Sequence, residues 1–299
     1  MRILVTGGAG FLGSHLVDAL VARGDEIVVL DDLSRGDESQ VNPGAKFIQG
    51  DVRSFSDWKK ACEDFNPDVI HHLAAINGTR RFHKEADLVV DVNVNGTRMS
   101  LRAAKKYKAT LIFYSSPEAF GEQENMPLRN ESTSVFTPAH LHQRHSYGAS
   151  KHIGELLCQF ESRKGLDVRI VRPCNVYGPR LRGDDNGQVV SMMMESNPIV
   201  VHGDGLQTRS LTWIYDVIEG LLKVNDSSNL SGKAFNLGSN QEISMVDLAT
   251  IIGELRGVEI VHGESNHGDS KRRLPDISMN DEIDWHAKTS LEDGLAQLL

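Results

Sequence analysis

The chain has 299 residues, 39% of them hydrophobic and 24% charged, a balance that suits one large globular domain or two closely joined ones. A formal net charge of −9 argues against nucleic acid or an anionic membrane as partner, so an anionic ligand must be held by local arginines and helix N-termini. No apolar run approaches the roughly 20 residues of a membrane span, and no signal peptide is visible ahead of the first strand. Three widely spaced cysteines (Cys62, Cys158 and Cys174) lack metal-ligand spacing and fit reduced thiols in the cytosol.

Arg2–Thr6, a short apolar run stopped by glycines, reads as a buried strand. Residues 11–23, with Phe11, Leu12, Leu16, Leu20 and Val21 at helical spacing, read as the helix that follows. Glu26–Leu30 is a second strand, ending in Asp31-Asp32, and Lys46–Gln49 and Val69–Leu73 are strands separated by a helix over 54–65. A long helix covers 85–107, Thr110–Ser115 is a buried strand, a helix spans 146–164, and Asp167–Arg172 is the next strand. This alternation predicts an α/β fold, a Rossmann-type doubly wound parallel sheet with helices on both faces.

After Pro173 the pattern loosens, with Gly, Asn, Asp and Pro clustered at 174–187 and 202–209. Ala234–Leu237 reads as one more strand and Ser244–Leu255 as a helix. Residues 1–173 are therefore expected to bind the cofactor, with a return strand near 234–238. Residues 174–299 are expected as a smaller C-terminal substrate lobe over the carboxyl ends of the strands, where open α/β sheets bind ligands.

Gly7-x-x-Gly10-x-x-Gly13 joins the first strand to the first helix, the context in which such glycines let backbone approach a pyrophosphate at a helix N-terminus. Asp31, at the end of the second strand, is placed to accept from both hydroxyls of an adenosine ribose and to repel a 2′-phosphate, which favours NAD over NADP. Arg35 is the one nearby residue suited to a 2′-phosphate. Asp51-Val52, after the third strand, is placed for the adenine edge; the bland reading of Asp51 is a cap on the next helix. The candidate cofactor contacts are thus Gly7, Gly10, Phe11, Leu12, Gly13, Asp31, Asp32, Asp51, Val52, Leu73, Ala74, Ala75, Asn93, Tyr147 and Lys151.

Tyr147 and Lys151 lie one helical turn apart and share a face. A free tyrosine titrates near pH 10 and is a poor base at neutrality. The lysine ammonium, with the positive charge of an oxidised nicotinamide, is expected to favour phenolate, so that Tyr147 takes a hydroxyl proton while hydride leaves the carbon. Ser116 ends the preceding strand and can donate to the developing carbonyl. Alone, the pair would read as an exposed tyrosine with an unrelated lysine; with the glycine loop, Asp31 and Ser116 it reads as a nicotinamide site.

These residues carry a resemblance. The chain resembles the extended short-chain dehydrogenases/reductases, specifically their nucleotide-sugar epimerases, dehydratases and decarboxylases. The matching stretches include Leu73-Ala-Ala, Asn93-Val-Asn-Gly-Thr, Tyr147-x-x-x-Lys151, Arg172-Pro-Cys-Asn175-Val-Tyr-Gly-Pro-Arg180 and Gly203-Asp-Gly-Leu-Gln-Thr-Arg209. The resemblance implies that retained NAD oxidises C4 of the sugar and that the hydride later returns. It also implies that Asn175, Arg209 and one of Arg272 or Arg273 grip the substrate diphosphate, and that the helices at 85–107 and 146–164 pair across a two-fold axis in a homodimer.

In that family the segment from Ser116 to Gly121 sorts the reaction, and here it reads Ser-Pro-Glu-Ala-Phe-Gly. It keeps Glu118 as a catalytic carboxylate but has Pro117 where a dehydratase places its acid. The stretches Asp184-Asp-Asn-Gly-Gln-Val-Val-Ser191 and Lys271-Arg-Arg-Leu-Pro-Asp-Ile277 resemble UDP-glucuronate decarboxylases. Ala75-Ile-Asn-Gly-Thr-Arg-Arg-Phe82 departs from them, although Arg80 or Arg81 there can meet a substrate carboxylate. The order of expectation is decarboxylase, then 4-epimerase, then 4,6-dehydratase. A non-catalytic NAD-binding sensor or scaffold would need the glycine loop and Asp31 but not Tyr147, Lys151 and Ser116. His140, His142 and His145 lie together without a carboxylate or cysteine companion, so no metal site is expected.

Overall fold

The computed structural model describes residues 1–141, 143–184, 188–264 and 270–299. Its first half alternates strands β1 (Arg2–Thr6), β2 (Glu26–Asp31), β3 (Lys46–Gln49), β4 (Val69–His72), β5 (Thr110–Tyr114) and β6 (Val168–Pro173) with helices. Those helices are α1 (Phe11–Ala22), α2 (Phe55–Cys62), α3 (Thr79–Lys84), α4 (Ala86–Tyr107) and α5 (Ser146–Ser162). The second half holds short strands β7 (Val176–Tyr177), β8 (Ile199–His202), β9 (Thr208–Ser210), β10 (Thr212–Trp213), β11 (Ala234–Leu237), β12 (Glu242–Ser244), β13 (Ile260–Gly263) and β14 (Arg272–Arg273). Helices α6 (Val189–Glu195), α7 (Ile214–Asp226), α8 (Met245–Arg256) and α9 (Leu291–Ala296) separate them.

Seven strands make one sheet in the order β11-β6-β5-β4-β1-β2-β3, every pairing parallel. The near-continuous apolar runs follow from this, because a parallel sheet covered by helices buries both faces of each strand. In β1, Ile3 and Val5 join the core under α1 and α7, whereas Leu4 joins the opposite core under α2, α4 and α5. The strand order reverses between β1 and β4, which opens a crevice at their carboxyl ends. The α/β, doubly wound parallel architecture is the one the alternation predicts.

Beyond β6 the chain builds small sheets over that crevice: β9 pairs with β12 and β14, β8 with β13, and β7 with β10. Strand β11 returns to the main sheet beside β6. Helix α8 starts where Ser244 accepts from the Asp247 amide, an N-cap that satisfies one orphan donor of the first turn. Helix α7 was not among the expected elements, and neither was α3. The region before 85 is not loop but the separate helix α3, begun at Gly78 (φ 127°) and broken from α4 at Glu85 (φ −131°).

Candidate active site

A cleft of about 1280 Å³ runs along the carboxyl ends of the strands, from the glycine loop past Tyr147 to Arg209 and Met245 in the second lobe. It exceeds the roughly 300–1,000 Å³ of an ordinary small-molecule pocket, room for a cofactor and a substrate end to end. At its floor, Gly7 has φ 74°, and a Cβ there would stand 2.8 Å from the Ala74 amide nitrogen. A Cβ on Gly13 would stand 2.1 Å from the Gly7 carbonyl, so α1 can approach the loop only with glycine there. The N-terminus of α1 thereby faces the cleft, with Gly10, Phe11 and Leu12 in its wall.

Asp31 is buried at the end of β2, where its carboxylate accepts from the Ala9 amide at 3.0 Å and the Leu33 amide at 2.9 Å. Burial raises its pKa above the ordinary carboxylate value, with those two amides opposing and Asp32 adding to the rise. Each oxygen keeps lone-pair capacity for a ribose hydroxyl. Arg35 pairs with Asp184 at 3.0 Å. Asp32, Val52, Leu73, Ala74 and Ala75 also line the cleft. These residues fit NAD.

Tyr147 and Lys151 stand on one face of α5, both buried. The Lys151 ammonium donates to the Tyr114 carbonyl at 2.7 Å and lies 5.6 Å from the centre of the Tyr147 ring. Burial pushes the Lys151 ammonium down to about 8, opposed by Cys158 and Glu155. The expectation for Tyr147 includes the charge of an oxidised nicotinamide, and the protein's own groups push the other way. Burial, then the Glu118 carboxylate, push its phenol well up, and a hydrogen bond with Ser116 only partly offsets them. A positive charge on Lys151 and on an oxidised nicotinamide would both favour phenolate.

Ser116 leads a single 3₁₀ turn, Pro117–Phe120, and its hydroxyl accepts from the Glu118 amide at 3.2 Å. Glu118 then receives Arg273 Nη2 at 2.9 Å, and the Ser270 hydroxyl receives the same guanidinium at 2.8 Å. Arg80, Asn175, Arg209 and Arg273 all line the cleft. Asn175, at φ 41°, donates through its amide to the Ser210 carbonyl at 2.9 Å. Two further wall residues were not foreseen: Arg144, three residues before Tyr147, and Phe82, stacked on its ring. The spacing of Arg144 was visible, but nothing in the sequence said that it turns inward.

Three expected contacts lie elsewhere. Asp51 is not in the cleft wall; its carboxylate accepts from the Arg53 amide and guanidinium, just ahead of α2. Asn93 is buried behind the wall, accepting from the Ile76 amide at 2.8 Å and donating to the Ser150 hydroxyl at 3.0 Å. Arg272 faces away and pairs with Glu242, so of the two adjacent arginines only Arg273 enters the cleft. Arg81 pairs with Glu85 at 2.7 Å. His142 and the run 185–187 lie outside the described residues, among which no group of three or more metal-ligating side chains occurs. No helix among the described residues is long and apolar enough to cross a membrane.

The model of the NAD dependent epimerase/dehydratase family matches residues 3–238. UDP-glucuronic acid decarboxylase 1 of Arabidopsis thaliana is 33% identical, over 100% of this chain and 69% of that protein. UDP-N-acetyl-alpha-D-glucosaminuronate decarboxylase of Bacillus cytotoxicus is 32% identical, over 100% of this chain and 96% of that protein. Among solved structures, UDP-glucose 4-epimerase of Thermotoga maritima, with UDP-glucose, is similar at a TM-score of 0.92 and 28% identity, covering 99% of this chain and 97% of that one. A match across most of the chain, carried by a glycine loop and a Tyr-Lys pair that share one cleft, means that the chain belongs to the NAD-dependent epimerase/dehydratase family and is an NAD-dependent enzyme.

Proposed function

We propose that the protein acts on a nucleotide sugar and removes carbon dioxide from a nucleotide-linked uronic acid through a 4-keto intermediate. The observation that carries this reading is the Glu118–Arg273 pair in the cleft that holds Tyr147, next to a proline at 117 that offers no proton. Bound NAD supplies the hydride acceptor for C4 and gives the hydride back at the end.

Tyr147 takes the C4 hydroxyl proton and Ser116 donates to the oxygen as it becomes a carbonyl. The sugar is then a β-keto acid. Its C5–C6 electron pair moves into a C4–C5 enolate, carbon dioxide leaves, and no leaving-group acid is needed. Tyr147, now protonated, and Ser116 stabilise the enolate oxygen. C5 takes a proton from water on the side of Glu118, and Tyr147 returns its own proton to the C4 oxygen when the ketone is reduced. Arg80, Arg144 and Arg273 supply positive charge for the carboxylate and diphosphate of such a substrate, and Asn175 and Arg209 a polar wall for the diphosphate. In this reading residues 1–173 with β11 hold NAD, and the remainder of 174–299 holds the nucleotide sugar.

A 4-epimerase is the second reading, favoured by the similarity to the Thermotoga maritima epimerase and by the departure of residues 75–82 from the decarboxylase pattern. A 4,6-dehydratase ranks below both because Pro117 cannot protonate a leaving hydroxyl. Incubation with UDP-, GDP-, dTDP- and CDP-linked sugars and uronic acids, read by mass spectrometry, decides. Loss of carbon dioxide from a uronic acid supports the first reading. An unchanged mass with inverted C4 overturns it.

The same reading makes the protein a C₂ dimer, the commonest closed oligomer. Ile153, Leu156 and Phe160 stand exposed on one face of α5, and Val90 is exposed on α4, which packs beside it. A monomer mass by light scattering at micromolar concentration would count against it.

A further inference from the structure

We propose that Phe82 is a positioning residue for proton transfer: stacked on the Tyr147 ring, it holds the phenol in place and screens it from water. The two rings lie 4.9 Å apart, centre to centre, and 12° from parallel. Stacking at this distance adds orientation to simple burial. Ile76 and Val89 complete an apolar cluster around the phenol, separate from the two main cores, with Leu88 and Val92 at its edge.

Both partners are tied to each other's element. The Ser146 hydroxyl, at the start of α5, donates to the Phe82 carbonyl at 3.0 Å. Asn93 joins Ile76 to Ser150, and the Ser150 hydroxyl donates to the Tyr147 carbonyl at 2.7 Å. The stack therefore cannot slide without breaking polar contacts at both ends. The short helix α3 has one buried side chain, Phe82, and delivers it to the site. Glu118 on the 3₁₀ turn acts on the phenol, Lys151 stands on its own helix, and Arg80 and His83 on α3, Arg144 ahead of α5 and Arg273 on β14 share its cleft. Replacing Phe82 leaves all of them in the chain.

The inference rests on the proposed role of Tyr147, and its test does not require turnover. In the NAD-bound enzyme, phenolate absorbance is titrated, and the Tyr147 contribution is isolated by subtracting the titration of Tyr147→Phe made in the same Phe82 background. In Phe82→Leu, water reaches the ring, burial is relieved, and Tyr147 ionises at a pH lower by about one unit. With UDP-glucuronic acid as substrate, kcat falls about tenfold while KM stays within about twofold, since orientation rather than binding is lost. Phe82→Tyr keeps an aromatic ring in the stack and the wild-type titration. Phe82→Met carries the same expectation as Phe82→Leu should the leucine variant lose its NAD. A Tyr147 titration in Phe82→Leu that overlays wild type overturns the proposal, as does one in Phe82→Tyr that moves as far as Phe82→Leu. Failure to turn over UDP-glucuronic acid, with the titrations as expected, overturns the substrate reading and leaves this one standing.

Discussion

Arg273 places its guanidinium 2.9 Å from the Glu118 carboxylate, across 155 residues of chain. The arginine is buried, and the Ser270 hydroxyl takes the same nitrogen at 2.8 Å. A charge-assisted pair of this kind holds the carboxylate in place in the cleft that Tyr147 lines. In the proposed mechanism this carboxylate faces C5 of the sugar, a contact that a simple hydride shuttle at C4 does not require.

Glu118→Gln separates a lyase from an epimerase. For the decarboxylase, turnover falls by about 10²-fold or more, and the enzyme stalls after oxidation with NADH accumulating, visible by absorbance. A fully active glutamine variant would remove the lyase and leave the epimerase.

Tyr147→Phe deletes the proton acceptor and keeps the ring. Folding, NAD binding and the stack on Phe82 should survive, while turnover falls by roughly 10²–10⁴-fold. Single-turnover NADH formation checks this directly, and an active phenylalanine variant would overturn the mechanism.

Asp31 is held by the Ala9 and Leu33 amides at the end of β2, where the sequence reading expects an adenosine ribose. NAD should therefore bind at least about tenfold tighter than NADP, about 1.4 kcal/mol. Calorimetric titration giving equal or reversed affinities would sink the assignment.

Two buried histidines on β4 make stability depend on acid. His71 lies between the Tyr114 hydroxyl and Asn225, each at 2.9 Å, and its pKa is pushed by burial from 6.5 down to about 4. His72 bonds Thr6 at 2.9 Å and is pushed down to about 3, again by burial. The folded protein keeps both neutral, whereas the unfolded chain binds protons once the pH falls below about 6.5. Stability is thus complete above that pH and is lost as the pH falls toward 4 and then 3. At pH 5 each histidine costs about 2 kcal/mol relative to pH 7.5. Urea unfolding of His71→Gln should show a loss smaller by about 2 kcal/mol between those two pH values, even if the variant is weaker throughout. Equal losses in variant and wild type would dismiss the linkage.

The sheet, the glycine loop, Asp31 and the Tyr147–Lys151 pair were legible in the chain because each rests on near-neighbour chemistry. Glycines three apart set a turn, four residues set a helical face, and buried parallel strands write themselves as apolar runs. The short strands β8, β9, β13 and β14 carry no such signal, since two to four residues cannot display a period and pair only because distant segments meet. Helix α3 escaped notice for the same reason.

Side chains with several possible partners were likewise beyond the sequence. Asp51, Asn93 and Arg272 have the right chemistry for the cleft, but Arg53, Ile76 and Glu242 bind them first. Arg272 and Arg273 are adjacent and identical in type, and strand alternation sends them to opposite faces, so one meets solvent-side Glu242 and the other Glu118. The sequence by itself determined the fold class, the glycine loop and the shared helical face of Tyr147 and Lys151, because these depend on local backbone sterics and spacing. Only the tertiary structure decided that Arg273 holds Glu118 and that Phe82 covers Tyr147, because those contacts join residues the chain keeps far apart and burial alone selects between equivalent candidates.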